Sequence, residues 1–302
     1  MLRIGIDLGG TKVEAACVAE DGQIVLRRRV PTPRDDYEGT IASIVQLVAE
    51  LEGEMGHEMT VGVGMPGTIS PATGLVKNAN SVWLNARPLD RDVSVRLGRP
   101  VRFANDANCF ALSEARGGAA AGASVVFGVI VGTGTGGGIV VNGRVLTGRN
   151  AVAGEWGHNA LPWPGGDEIP GASCYCGLRG CIETFLSGPG LARDYANTTG
   201  HLRSPAEIAE AAEAGDRAAE ETLQRYEDRM ARALAGIINV VDPDVIVLGG
   251  GMSNLSRLYG AVPRIWGRYV FSDRVDTALV GPRFGDSSGV RGAAWLWEEP
   301  NR

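Results

Sequence analysis

Gly154-Glu155-Trp156-Gly157-His158, followed by Cys174-Tyr175-Cys176-Gly177-Leu178-Arg179-Gly180-Cys181-Ile182-Glu183, is the stretch from which the rest of the chain can be read. Three of the five cysteines and one of the three histidines fall in it. Three thiolates with one imidazole make a Cys₃His set, a ligand set of structural tetrahedral zinc. His158, Cys174, Cys176 and Cys181 are therefore candidate metal ligands. With four protein ligands no coordination position is left for water, so such an ion is structural and not catalytic. Glu155 and Glu183 bracket the cluster, and the stretch reads as a metal-pinned loop that presents acids. Cys17 in a strand pattern and Cys109 in a helical one read as small core residues. His57 and His201 lie in polar stretches and carry no assigned role.

Composition narrows what those acids can serve. The 302 residues suffice for two well-cored domains. Hydrophobic content is 44% and charged content 21%, ordinary for a globular protein. A net charge of -6 argues against a nucleic-acid partner, which requires a basic patch. There is no apolar run long enough for a membrane span, and the opening Met1-Leu2-Arg3-Ile4-Gly5-Ile6-Asp7 is unlike a secretory signal. The expected location is the cytoplasm, where thiols stay reduced and clustered cysteines bind metal in preference to forming disulfides. Glycine is unusual: 44 of 302 residues, against a typical fraction of about 7%. The glycines have no triplet period and cluster at strand ends, where backbone turns tightly or approaches a ligand.

The patterns predict a meander of three strands over Arg3–Leu8, Val13–Ala19 and Gln23–Val30, then an amphipathic helix over 36–54. A strand over Val61–Met65, a loop-like stretch through 70–90, a strand over Val101–Ala104 and a helix from Asn105 to Arg116 follow. The plan then restarts: a strand over Ser124–Val131, a glycine turn over Gly132–Gly138 and a returning strand to Val141. After the metal stretch come a helical stretch over 204–240, a strand over Asp244–Leu248, a helix, a strand over Thr277–Val280 and a final helix from Ser288. Two similar halves predict a duplicated α/β architecture with a cleft between lobes, a favoured place for ligands. The lobes are expected at 1–118 and 119–287, the second carrying the zinc insertion 154–183.

Four constellations carry candidate chemistry. In Asp7-Leu8-Gly9-Gly10-Thr11-Lys12 two glycines let backbone N–H groups turn toward a phosphate, and Asp7 could hold Mg²⁺ through water. The alternative is a plain glycine hairpin, but an acid ending an apolar strand is costly without a function. Gly132-Thr133-Gly134-Thr135-Gly136-Gly137-Gly138 is a second phosphate-clamping candidate. Gly132, Gly134 and Gly137 match G-x-G-x-x-G, as do Gly62, Gly64 and Gly67, yet no helix follows either, so neither is a dinucleotide fingerprint. Gly249-Gly250-Gly251 after a buried strand is either a structural turn or a surface for the flat part of a nucleotide. In Asn105-Asp106-Ala107-Asn108, Asn105 or Asp106 either caps the helix or supplies a general base for phosphoryl transfer to a hydroxyl.

Together these motifs resemble the ROK family of sugar kinases and sugar-sensing repressors, in the family's order along the chain. The likeness to the family's bacterial fructokinases, or manno(fructo)kinases, extends through Pro31-Thr32-Pro33-Arg34-Asp35-Asp36-Tyr37, Val76-Lys77-Asn78-Ala79-Asn80-Ser81, Asp242-Pro243-Asp244 and Gly285 to Trp297. The resemblance implies a two-lobed actin-like, ribonuclease-H-type fold whose last helix, 288–302, packs back on the first lobe. It implies ATP with Mg²⁺ on Gly5, Ile6, Asp7, Leu8, Gly9, Gly10, Thr11, Lys12, Gly132 to Gly138, Gly250 and Gly251, with Asp7 reaching magnesium through water. Asp106 would be the base. Asn105, Asp106, Glu155, His158 and Glu183 map onto sugar-binding positions, and His158, Cys174, Cys176 and Cys181 onto zinc ligands. His158 would then serve twice, one ring nitrogen on zinc and the other free for sugar. The connection from His158 to Cys174 is longer than in many members, and its extra loop, Pro164-Gly165-Gly166-Asp167, could alter the rim of the sugar pocket. The implied activity is ATP-dependent phosphorylation of D-fructose at its 6-hydroxyl, with mannose a second substrate, in a homodimer. The alternatives are a glucokinase, an N-acetylglucosamine or N-acetylmannosamine kinase, a silent sugar-binding module, and a repressor, for whose helix-turn-helix the sequence before the first hairpin leaves no room.

Overall fold

The computed structural model of the chain describes residues 2–297. Backbone contacts divide the chain into two units. The first comprises Met1–Gly122, Gly138–Ala153 and the segment from Arg283; the second comprises Ala123–Gly137 and Gly154–Pro282.

In the first unit the predicted meander forms as β1 (Arg3–Leu8), β2 (Lys12–Val18) and β3 (Ile24–Pro31), antiparallel throughout. Helix α1 (Tyr37–Met55) opens on Asp36, whose side chain accepts from Gly39 N. Its Ile41, Ile44, Val48 and Leu51 are at most 1% exposed and pack with Ile4, Ile6, Val61 and Val63 in one core. Strand β4 (Thr60–Met65) is parallel to β1, a two-stranded ribbon follows as β5 (Thr68–Ile69) and β6 (Val76–Lys77), and β7 (Val101–Asn105) is parallel to β4. Helix α2 (Leu89–Leu97) was not predicted from the patterns. Its apolar positions Leu89, Val93 and Leu97 are too few among charged residues to set a period. It is needed because neighbouring parallel strands require a crossover. Helix α3 (Asp106–Gly117) follows β7 directly, and the sheet order is β3-β2-β1-β4-β7.

The second sheet repeats that plan. Strands β8 (Val125–Val131), β9 (Thr135–Val141) and β10 (Arg144–Val145) start it, and it is completed after a helical stretch. That stretch comprises α4 (Ile182–Leu186), α5 (Gly188–Thr199), α6 (Pro205–Glu213) and α7 (Arg217–Val241). Strand β11 (Val245–Gly249), helix α8 (Leu258–Trp266) and strand β12 (Ala278–Val280) follow, and the order is β10-β9-β8-β11-β12. Three predictions are corrected. The glycine turn is confined to Gly132–Gly134, since β9 already starts at Thr135. The helix predicted over 204–240 breaks at Gly215, whose φ of 91° is left-handed, and Asp216 caps α7 anew. The stretch 138–153, expected in the second lobe, counts with the first unit. Gly138 lies so close to α3 that a Cβ there would be 2.5 Å from Ala107 O.

Helix α9 (Ser288–Ala294) and a 3₁₀ turn over Trp295–Trp297 belong to the first unit. Residues 298–302 of the expected final helix lie outside the described residues. Helix α9 lies directly on backbone: a Cβ on Gly5 of β1 would be 1.8 Å from Val290 O, and one on Gly62 of β4 would be 1.9 Å from Ala293 O. Part of the glycine excess is thus packing. Glu114 of α3, fully buried, fixes the segment leading into α9 by accepting from Arg283 N (3.0 Å), Phe284 N (3.3 Å) and Ser288 Oγ (2.8 Å). Among the described residues no helix is long and apolar enough to cross a membrane.

Candidate functional site

In the first unit three parallel strands carry the acids at their carboxyl ends, the edge where open α/β sheets bind ligands. Asp7 ends β1 and Asn105-Asp106 ends β7, with β4 between them, so two strand spacings of about 4.8 Å separate these ends. Burial pushes the Asp7 carboxyl from an ordinary 3.8 to about 6, with the charges of Asp106 and Glu14 adding and those of Lys12 and Arg29 opposing. A buried carboxylate raised further by a neighbouring acid is what a divalent cation with oxygen ligands relieves, so the residues fit Mg²⁺. Asn105 is the helix cap, its Oδ1 accepting Ala107 N at 2.9 Å, while Asp106 is exposed at the first helical position and accepts the same N–H at 2.8 Å. The Gly9–Lys12 turn is closed by Gly9 N to Lys12 O (3.0 Å) and buttressed by Thr32 Oγ1 on Gly9 O (2.7 Å), which leaves Gly10, Thr11 and Lys12 exposed. Of the remaining candidates in this run, Ile6 and Leu8 are core side chains and Gly5 sits under α9.

In the second unit three glycine segments converge at the carboxyl ends of the parallel strands β8 and β11. Gly188 N donates to Gly132 O at 2.8 Å, and a Cβ on Gly132 would lie 4.0 Å from Gly251 N. Gly250 adopts a left-handed φ of 78° with its α-carbon against Val131 O. Glu183, at the start of α4, accepts Thr135 N at 2.8 Å, so this acid is fixed on the β8–β9 hairpin. A Cβ on Gly134 would lie 2.7 Å from Glu183 Oε2 and would push that carboxylate off the Thr135 N–H. Gly137 serves packing, abutting Phe127 and Trp156, and the neighbouring Gly136 O accepts Trp156 Nε1 (3.0 Å). Buried Trp156 stands edge-on to Phe127 and anchors the turn that carries half-buried Glu155 and His158.

The four predicted metal ligands come together, with one donor atom of each within 4.8 Å of the others. Cys174 Sγ is 3.5 Å from His158 Nδ1, and Cys176 Sγ is 3.6 Å from Cys181 Sγ. Ligands at about 2.3 Å (sulfur) and about 2.0 Å (nitrogen) around a tetrahedral zinc stand about 3.5 to 3.8 Å apart, so the donor set fits that ion. The Leu178 N–H holds the Cys176 thiol below its ordinary value, while burial pushes Cys181 up to about 12. The second role expected of His158 meets a neighbour the sequence did not flag. Its Nε2 is 2.9 Å from the hydroxyl of Tyr175, with the rings edge-on at 5.0 Å. Partial desolvation, then the charges of Glu183, Cys174 and Glu155, push that phenol up to about 12, so Tyr175 shares the field of both acids. Its only sequence signal is its place between two cysteines. Among the described residues there is no other group of metal-ligating side chains.

Three comparisons bear on this arrangement. The ROK family model matches residues 3–300. Over 296 residues, 97% of this chain and 98% of the relative, the sequence is 40% identical to the N-acetyl-D-glucosamine kinase of Vibrio vulnificus (strain YJ016). Among solved structures, a ROK hexokinase from Thermus thermophilus superposes with a TM-score of 0.86 at 32% identity, covering 97% of both chains. A ROK family glucokinase from Streptomyces griseus, in complex with glucose and AMPPNP, superposes with a TM-score of 0.78 at 30% identity over 98% of this chain and 99% of that one. The mixed α/β sheets are thus those of the actin-like kinase fold.

Proposed function

The chain belongs to the ROK family and is a sugar kinase, and from that premise we propose that it transfers the γ-phosphoryl group of ATP to the 6-hydroxyl of N-acetyl-D-glucosamine. The observation that carries the substrate is the 40% identity, over 97% of the chain, to an N-acetyl-D-glucosamine kinase. That relative supports an N-acetylated hexosamine over the fructose and mannose expected from the resemblance to fructokinases. Glucose is the second reading, favoured by the glucose-bound neighbour.

The residue roles follow from chemistry. The first unit contributes Asp106, an exposed carboxylate at a strand end, as the base. Attack by the sugar oxygen forms the O–P bond, the bond to ADP breaks, and the hydroxyl proton passes to Asp106. Asp7, with Asp106 in its field, would hold Mg²⁺ through water. That ion, when bound, neutralises charge on the phosphate oxygens. The exposed Gly10–Lys12 part of the turn suits phosphate. The second unit contributes the Gly132–Gly134 turn for phosphate, Gly250 and Gly251 for the adenosine, and Glu155, His158 and Glu183 for sugar hydroxyls; in the first unit Asn105 is given the same role. Zinc on His158, Cys174, Cys176 and Cys181 would fix these acids. A homodimer is proposed by family analogy.

The test is kcat/KM on N-acetyl-D-glucosamine, glucose, fructose and mannose. The expected preference for the first is on the order of 100-fold over fructose; a preference for fructose overturns the substrate. Asp106→Asn should lower kcat on the order of 10³-fold with little change in sugar KM.

A further inference from the structure

The extra length between His158 and Cys174 is committed to α5 and α7. Among the described residues it makes no hydrogen bond to Glu155 or Glu183. Arg232 of α7 donates to the carbonyls of Pro162 (3.1 Å) and Trp163 (2.9 Å) and to both carboxylate oxygens of Glu168 (2.9 and 2.7 Å). Arg229 bonds Glu168 (2.8 Å) and reaches Asp194 of α5 (2.8 Å). Burial alone would raise Glu168, but the Arg232 and Arg229 guanidiniums outweigh it and hold the carboxyl at about 2.

Loop, α5 and α7 line a half-open cavity of about 720 Å³ within the second unit, the size of a small-metabolite site. Its acids are largely engaged. Glu168 is shared by Arg229 and Arg232, Asp194 by Arg225 and Arg229, and Asp228 pairs with Arg232, while Asp167 lies exposed. Two cationic donors are left over. Arg193, an exposed residue on the cavity lining, donates to Thr184 O and has no carboxylate partner among the described residues. Arg225 uses Nε on Asp194 and one terminal nitrogen on Thr198 and Thr222; the other has no acceptor among the described residues. On the same lining Trp163, about half exposed, stacks on Tyr269 at 5.1 Å, and Asn197 adds an amide.

Guanidinium forks with unfilled donors, in a concave polar site, match phosphate oxygens. An aromatic face with neighbouring amide groups matches a sugar ring. We propose that this cavity is a second ligand site, for a small sugar phosphate, with the phosphate on Arg193 and Arg225 and the sugar against Trp163. A sugar phosphate is also what the proposed reaction makes, so the site would sense product; that last step rests on the proposed function, whereas the binding does not.

The test is calorimetric titration of the zinc-loaded full chain, in saturating N-acetyl-D-glucosamine and AMPPNP, with N-acetylglucosamine 6-phosphate, glucose 6-phosphate and inorganic phosphate. One equivalent of a sugar phosphate should bind and quench tryptophan fluorescence. Arg193→Ala should weaken that binding on the order of 10- to 100-fold, and Arg193→Lys, which keeps charge without the fork, by about 10-fold. Turnover without added sugar phosphate should not change in either variant. If the proposed reaction is wrong, the two additions bind nothing and the Arg193-dependent binding is still seen. No binding, or binding unaffected in both variants at native unfolding temperature, overturns the site. Inorganic phosphate binding as tightly as the sugar phosphates overturns the sugar half. Loss of a dimer in Arg193→Ala by sedimentation reassigns the cavity to a subunit contact and also overturns it.

Discussion

Asp7 occupies a position where its own charge works against the fold. Its folded pKa of about 6 lies above the ordinary 3.8, so the native state binds the proton more tightly than the unfolded chain. The resulting stabilisation is fully present below pH 3.8 and is lost as pH rises through about 6. Above that, the ionised carboxylate is a standing penalty that a bound cation would relieve. Asp7→Asn should therefore stabilise the ligand-free protein at pH 7 by roughly 1–3 kcal/mol, with the gain vanishing near pH 4, and should suppress phosphoryl transfer. Urea unfolding at the two pH values measures this; equal changes at both would remove the carboxylate-field argument. Tyr175 makes a second residue-scale case. A hydroxyl 2.9 Å from Nε2 orients a histidine whose Nδ1 faces the thiolates. Tyr175→Phe should weaken zinc retention on the order of 10-fold in a chelator competition; unchanged retention would leave the contact without that role.

At the scale of elements, the segment that returns to the first unit is held by one buried acid. Glu114 accepts from Arg283 N, Phe284 N and Ser288 Oγ, and also from Ala119 N at 2.8 Å. Removing it leaves the buried Ser288 hydroxyl and three part-buried N–H groups without this acceptor, a fully buried one costing about 1–3 kcal/mol in isolation. Glu114→Ala should therefore destabilise the protein by about 3–5 kcal/mol, and Glu114→Gln by less, in thermal or urea unfolding. A loss below about 0.5 kcal/mol, an ordinary surface effect, would show that α9 is held by its glycine contacts alone. The elements legible in the sequence were those whose own residues decide them, such as the β1–β3 meander with its alternation and turns, and α1 with its apolar stripe and Asp36 cap. Helix α2 was not legible because parallel pairing of β4 with β7 demands it more than its own residues do. The β9 start was missed because Gly136, Gly137 and Gly138, read as a turn, are strand glycines that admit Trp156 and α3.

Across the whole molecule, one sheet plan occurs twice, and in each copy candidate ligand residues lie at the carboxyl ends of parallel strands. That placement made Asp7, Asp106 and the glycine turns visible as an acid or glycines ending an apolar run, and cysteine clustering made the candidate metal set visible. Arg193, Arg225 and Trp163 were invisible, since only the fold brings residues so far apart in sequence to one cavity. The metal set allows the largest test. His158 and Cys181 close a long irregular loop that contains few regular hydrogen-bonded elements, and Cys181 is buried where its thiolate alone is unfavourable. Metal affinity for such a loop is folding free energy. Chelation, or Cys176→Ser, should therefore lower the unfolding temperature by about 10 °C or more. Sugar affinity should fall in parallel, because Glu155 and Glu183 flank the loop that loses its pin. The paired measurements are differential scanning calorimetry and sugar KM on protein whose zinc content is known. Metal-free protein that phosphorylates sugar at the normal rate would show that the acids are held by the Thr135 N–Glu183 bond and the Trp156 anchor without help from the ion.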